Sequence, residues 1–437
     1  MTRKKVNVVT LGCSKNLVDS EKLMEQIRLG GYQVFHDAPP GSARIVIINT
    51  CGFIGDAREE SIDTILQFTE QKKRGVIDKL YITGCMAERY RDELIKEIPE
   101  ADRYFGVHHL KEILSELKST YIDEYAERRV LTGPGHYAYM KVSEGCDRTC
   151  SFCAIPMIRG SHTSRPLDEI LSEARYLAEK GVRELILVAQ DLTFYGMDIY
   201  GERLIATLVE KLAEPAAFSR IRLHYLYPSG FPESLIPVIR DIPSVCNYLD
   251  IPVQHISNRV LRMMNRSHTA AYTVSLLDKL RRKIPGAALR TTLIVGHPGE
   301  GDKEFRELYD FVGDFRFDRL GVFAYSHEEN TPAARKYNDN TSDGIKKERV
   351  AALMELQQEI SAELNEAMVG KTVRVMFDRR EGAWMIGRTD HDSPEIDQEV
   401  LVPYSDRLSA GSLHDVTITG SGVFDLIGEI QDCQLSA

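Results

Sequence analysis

The residues most able to do chemistry lie in one short loop, Gly145-Cys146-Asp147-Arg148-Thr149-Cys150-Ser151-Phe152-Cys153, whose thiols are spaced C-x₃-C-x₂-C. A tetrahedral zinc site takes four ligands, and no histidine or cysteine follows at zinc-finger spacing. Three thiolates on one loop suit an iron–sulfur cube held at three corners, its fourth iron open to a small molecule that binds through oxygen and nitrogen. A structural metal knot is the competing reading of this spacing. Three more cysteines form a second pattern. Cys13, Cys51 and Cys85 each adjoin a glycine and each follow a short apolar run.

Those runs, Val6–Leu11, Ile45–Asn49 and Leu80–Thr83, alternate with helical patterns at Val18–Leu29, Arg58–Phe68 and Glu88–Ile98. Strand–helix alternation predicts a parallel, doubly wound sheet with all carboxyl ends along one edge, where ligands bind. Cysteines 38 and 34 residues apart in sequence then converge on that edge, although one buried unpaired cysteine alone would be ordinary core. The inference is a second three-thiolate cluster.

From Tyr137 the rhythm resumes. Candidate strands are Ala138–Val142, Glu184–Ala189, Ile221–Leu226, Tyr248–Val253, Leu289–Val295 and Arg319–Tyr325, with helical patterns at Leu167–Glu179, Arg203–Leu212 and Lys303–Val312. Six such units predict a partial (β/α)₆ barrel with the Cys146 loop after its first strand, where barrel logic puts catalytic groups. Gln190 could receive an amino group and Arg290 a carboxylate. Ile294 could lie against a flat ring, and Phe152 could add a ring or backbone contact. Each of these four is equally readable as core or strand-end filling. His297 reads as space-filling, and Tyr225–Pro228 and Asp250–His255 as walls of the pocket. Residues 119–136 read as a polar connector.

After Gly370 the pattern changes to short β runs, which predict a small C-terminal β-barrel. Between Lys371 and Glu429 there are six Lys/Arg against eleven Asp/Glu, with Asp390, Asp392, Glu395, Asp397 and Glu399 crowded together. A phosphate backbone is repelled by such a surface. The crowd reads either as a solvated loop or as a surface for a basic protein. The fold is thus α/β with three units, 1–122, 132–367 and 368–432. At 437 residues and a net charge of -10, the chain is large enough for them and too acidic for a nonspecific nucleic-acid binder. No apolar run nears the ~20 residues of a membrane span. The run before Cys13 is too short for a signal peptide, and sparse cysteines speak against a disulfide framework. A cytoplasmic protein is expected.

Several stretches resemble the radical S-adenosylmethionine methylthiotransferases. They are Leu-Gly-Cys-Ser-Lys-Asn-Leu-Val-Asp-Ser-Glu (11–21), Thr-Gly-Cys-Met-Ala-Glu-Arg-Tyr (83–90), the cysteine loop itself, and Leu-Asp-Ile-Pro-Val-Gln-His (249–255). The resemblance implies two 4Fe–4S clusters, on Cys13, Cys51 and Cys85 and on Cys146, Cys150 and Cys153. It implies S-adenosyl-L-methionine as cofactor, an electron donor as partner, and a C-terminal TRAM domain. It also implies transfer of a methylthio group to an unactivated carbon. Gly-Cys-Ser-Lys-Asn and His-Tyr-Leu-Tyr-Pro are more similar to the branch that modifies an aspartate β-carbon of small-subunit ribosomal protein twelve than to the transfer-RNA branch. The acidic C-terminal unit agrees, since ribosomal proteins are basic. A cluster carrier or sensor without turnover is the alternative from another class, and it would give no 5′-deoxyadenosine.

Overall fold

The computed structural model describes residues 4–52 and 54–431. The first unit is a five-stranded, wholly parallel sheet in the order Gln33–His36, Lys5–Thr10, Ile45–Thr50, Lys79–Gly84, Arg103–Tyr104. The apolar runs form the three central strands because both of their faces are covered. Two short strands escaped the sequence reading: Gln33–His36 is nowhere fully buried, and Arg103–Tyr104 is only two residues long. Chain order reverses between Lys5–Thr10 and Ile45–Thr50, and such a switch point opens a crevice at the carboxyl edge. Cys13 and Cys51 follow those two strands.

The second unit holds six parallel strands in two groups of three. One group is Arg220–Leu223, Glu184–Val188 and Tyr137–Lys141; the other is Tyr248–Asp250, Ala288–Val295 and Arg319–Ala324. A bridge from Ile221 to Val245 and a bond from Leu226 N to Asp250 O (2.8 Å) join the groups. The result is the expected partial barrel, closed on the outside by a helix Asp343–Glu366 whose first turn is capped by Ser342. The connector is not a loose loop. Arg129 is 1% exposed and reaches Glu21 of the first unit at 3.1 Å and Glu173 of the second at 3.3 Å.

The third unit is a closed five-stranded barrel in the order Thr372–Glu381, Trp384–Arg388, Val400–Pro403, Leu426–Ile430, Leu413–Ser421. Its acidic segment corrects the sequence readings in part. Within residues 389–398, Asp392, Ser393 and Pro394 are buried as a plug against the amino-terminal mouth of the six-stranded barrel, whereas Glu395 and Ile396 stay exposed. Arg222 donates to the Asp390 carbonyl at 2.8 Å, Arg319 to the Asp392 carboxylate at 2.8 Å, and Tyr248 to Asp397 at 2.7 Å. Tyr137 donates to Glu395 at 3.0 Å, and Ser393 meets His224 at 2.8 Å. Arg388 bonds Glu184 at 2.9 Å, and Arg220 donates to the Arg388 carbonyl at 3.0 Å. Tyr137, Glu184, Arg220, Tyr248 and Arg319 each begin a barrel strand, so the plug is read off the strand starts. Asp392 and Asp397 are counterions for Arg319 and Arg290. Burial raises Asp397 despite Arg290, whereas for Asp392 the pull of Arg319 and Thr389 outweighs burial and holds it low.

Candidate functional site: two thiol loops across one mouth

The Cys13 and Cys51 loops touch. Gly12 has φ +88°, and a Cβ there would fall 2.6 Å from Cys51 Cβ, so only glycine allows the approach. Asn16 ties the loops together, donating to the carbonyls of Leu11 (2.9 Å) and Thr50 (3.1 Å). Ser61 accepts from Cys51 N at 3.1 Å. Cys13 caps the helix Ser14–Leu29, where free N–H groups favour a thiolate. Burial alone would raise its pKa, but Lys15, the N–H groups of Asn16 and Lys15, and Arg159 pull it below the ordinary value. Cys85 is pushed up to about 11, by burial first; Arg159 opposes this, and the adjacent Cys13 and Cys51 thiols add to it.

The Cys146 loop is held with equal care. Gly145 has φ +71°, and a Cβ there would stand 2.6 Å from the Gly160 carbonyl oxygen. Cys146 N donates to that carbonyl at 3.1 Å. Ser151 N bonds Met264 O at 2.8 Å, and Ala333 N bonds Ser151 O at 2.7 Å. Arg266 donates to Cys150 Sγ at 3.4 Å, as does Arg148 N to Cys146 Sγ at 3.4 Å. Burial lifts Cys146 to about 11 and Cys153 to about 12, the neighbouring Cys150 adding to both.

The donor chemistry fits iron–sulfur clusters at both loops. Arginine reaches sulfur in each triad, Arg159 at Cys85 and Arg266 at Cys150. Cationic neighbours suit a negatively charged thiolate cluster, and a coordinating thiol is deprotonated outright. The described residues hold no three His, Cys, Asp or Glu placed for one metal ion. A cube spreads its thiolates wider than a single ion does.

Of the four residues expected to contact S-adenosylmethionine, three stay at the carboxyl side of the barrel. Gln190 donates to Glu144 at 2.8 Å, beside the cysteine loop, and its amide oxygen is buried without a partner, as is that of Gln254. Such orphaned acceptors fit a ligand bearing donors, as an ammonium does. Ile294 N bonds Gln254 O at 2.8 Å, and the Phe152 ring meets His297 edge-on at 6.3 Å. His297 is fully buried and bonds the Pro298 carbonyl, as a space-filling role requires. Arg290 is the correction. It stands four residues before Ile294, about 13 Å along the strand, and Asp250 (3.0 Å) and Asp397 (3.3 Å) neutralise it within the plug. Cys246 is an ordinary buried thiol, lifted to about 11 by burial first. Cys433 lies outside the described residues.

One side chain that the sequence reading missed joins the loops. Arg159 ends the short helix Ile155–Arg159 that follows Cys153. Its guanidinium donates to Cys85 Sγ (3.4 Å), Asn16 Oδ1 (2.5 Å) and Asp19 (3.1 Å) in the first unit, and to Glu144 (2.9 Å) in the second. On the other flank Arg89 donates to the Gly52 carbonyl (3.2 Å) and to Glu328 of the barrel (2.7 Å). The carboxyl edge of the sheet therefore faces the carboxyl mouth of the barrel.

Family models agree with this division of the chain. The Radical SAM superfamily matches residues 140–312, a family described as Uncharacterized protein family UPF0004 matches 5–106, and the TRAM domain matches 369–430. A ribosomal protein uS12 methylthiotransferase RimO from Porphyromonas gingivalis is 50% identical over 434 residues, 99% of this chain and 100% of the relative. The chain belongs to the RimO methylthiotransferase family. The RimO of Bacteroides thetaiotaomicron is 49% identical over 98% of this chain and 99% of its own. Among solved structures, the radical S-adenosylmethionine methyltransferase TsrM of Kitasatospora setae, with cobalamin and a [4Fe-4S] cluster bound, superposes with a TM-score of 0.57 at 14% identity. That match covers 76% of this chain and 77% of TsrM, and it speaks for the fold alone. Among the described residues no helix is long and apolar enough to cross a membrane.

Proposed function

We propose that the chain adds a methylthio group to the β-carbon of an aspartate in ribosomal protein uS12. It would use S-adenosylmethionine and two 4Fe–4S clusters, one on Cys13, Cys51 and Cys85 and one on Cys146, Cys150 and Cys153. When bound, these groups supply the radical, the sulfur and the methyl group, with electrons from a separate donor protein. The chain itself binds, orients and excludes water. The two thiol loops are fixed to the edges of one mouth, and Gln190 and Gln254 offer acceptors within it. The plug keeps solvent from entering at the far end of the barrel. Arg159, touching Cys85 and the Glu144 strand end together, is the observation that carries the reading: it ties a thiol of one loop to the root of the other. A ribosomal substrate fits a cytoplasmic enzyme whose target is a protein rather than transfer RNA.

Anaerobically reconstituted protein should hold two clusters. Replacing Cys13, Cys51 and Cys85 with alanine should remove about half of the iron, leave 5′-deoxyadenosine formation intact and end transfer to uS12. Replacing Cys146, Cys150 and Cys153 should end both. A first triple variant with full iron and full transfer would exclude the two-cluster assignment. Methylthio incorporation into transfer RNA instead of uS12 would exclude the substrate. A parent enzyme that forms no 5′-deoxyadenosine would be a carrier.

A further inference from the structure

We infer that Lys15 binds the carboxylate of the substrate aspartate and thereby selects aspartate as the residue modified. The inference rests on the uS12 reading above. Only two lysines among the described residues are buried, Lys346 at 4% exposure and Lys15 at 8%. Lys346 ends on Asp339 at 2.5 Å. Lys15 has no carboxylate partner among the described residues; its Nζ stands 3.9 Å from the centre of the Tyr225 ring. Its neighbours are the Tyr225 ring and the Cys13 thiol, with no carboxylate of the described residues among them, and burying an ammonium in that way is costly unless a carboxylate arrives from outside the chain.

Its position says which counter-charge. Lys15 is two residues past Cys13, on the first turn of the helix Ser14–Leu29. Tyr225 lies two residues past the barrel strand Arg220–Leu223. The ammonium therefore spans from the first thiol loop to the carboxyl mouth of the barrel, the space between the two triads. The neighbouring cations Arg159 and Lys141 are already engaged by Asp19 and Glu144. Tyr225 is held in a left-handed backbone, φ +61°, by Asp250, which accepts from its N–H at 3.0 Å, and by Leu192, which donates to its carbonyl at 3.1 Å. Non-glycine residues adopt that conformation at a cost, and such strain collects at functional sites. Here it turns the ring toward Lys15. In aspartate the β-carbon is bonded directly to the carboxylate, so anchoring the carboxylate on Lys15 sets the reacting carbon in this gap. Asparagine offers the same shape without the charge.

The test compares Lys15→Gln and Lys15→Arg with the parent, all anaerobically reconstituted. The substrates are uS12 and a uS12 variant with asparagine at the modified position. The parent should prefer aspartate by at least roughly a hundredfold in kcat/KM, as sites built for one polar group do. In Lys15→Gln the aspartate substrate should lose about that factor, chiefly through KM, so that the preference collapses. Lys15→Arg should keep most of it. 5′-Deoxyadenosine formation, which belongs to the other triad, should match the parent, and Lys15→Arg should keep the iron of the first triad. Fluorescence anisotropy of a labelled aspartate peptide, without S-adenosylmethionine, should show the same loss of affinity in Lys15→Gln. A Lys15→Gln enzyme that still prefers aspartate overturns the inference, as does one that loses the iron of the first triad, since Lys15 would then serve the cluster. A parent that never modifies uS12 removes the substrate reading and this inference with it.

Discussion

Asp392→Lys combined with Asp397→Lys should release the C-terminal barrel from the rest of the chain. Both side chains are buried against arginine: Asp392 bonds Arg319, and Asp397 bonds Arg290 and Tyr248. Removing one partner of a buried pair costs about 3–5 kcal/mol because the other charge is left bare, and reversal adds repulsion. Calorimetry should show a separate, earlier transition for the C-terminal unit, and trypsin should cut at Arg388, now 1% exposed. Acid should have the same effect by protonation. Burial would raise Glu184, but Arg388, Arg222 and Arg220 overcome it and hold its pKa far below the carboxylate range. Asp378 is likewise held low by His136 and Arg388. Carboxylates depressed in the fold contribute stability above their unfolded pKa, about 4, and lose it as pH falls through their folded values. Asp397, raised by burial, runs the other way, one group against Glu184, Asp378 and Asp392. The junction should hold at neutral pH, begin to weaken below about pH 4 and open to protease as pH falls on through the depressed folded values. A charge-reversed protein that melts and digests like the parent would show that the plug contributes nothing.

Arg159→Gln should cut transfer to uS12 by about a hundredfold, the scale on which a displacement of ~1 Å acts. The substitution removes the cation shared by Asp19, Glu144 and Cys85. Lys141 remains between the two carboxylates but does not reach the thiol. Glu144, which burial would raise, is held far below its usual range by Lys141 and Arg159, so losing the arginine loosens the joint without freeing the carboxylate. Cleavage of S-adenosylmethionine should persist because the Cys146 loop keeps its anchors on Met264 and Ala333. Iron at the first triad should fall in part. Arg159→Lys should recover some charge and little geometry. Wild-type transfer in Arg159→Gln would sink this account of how the loops are registered.

Cys13, Cys51 and Cys85 were legible as candidates because each follows a strand end, and Cys146, Cys150 and Cys153 because of their spacing in one loop, local patterns that period and punctuation reveal. What escaped was long-range pairing. Arg159 meets Asn16 across 143 residues, and Arg388 meets Glu184 across 204. No spacing rule connects such positions. The acidic segment was misread in part for the same cause: composition counts charges, and only the fold supplies Arg290 and Arg319 as the counterparts of Asp397 and Asp392. Arg290 failed as a cofactor ligand because the sequence located its strand but not the direction of its compensation. Lys15 was visible within Gly-Cys-Ser-Lys-Asn, yet nothing in that motif tells a solvated lysine from a buried one.

The plug also bears on how freely this architecture can be recombined. A C-terminal barrel grafted from another protein would arrive with its own loop between the second and third strands. It would meet a ring of arginines and tyrosines that begins at Tyr137, Arg220, Tyr248 and Arg319 and expects Asp392, Glu395 and Asp397. The interchangeable piece is therefore not the five-stranded barrel that strand pairing delimits. It is that barrel together with the floor of its neighbour, two surfaces that must be inherited as one.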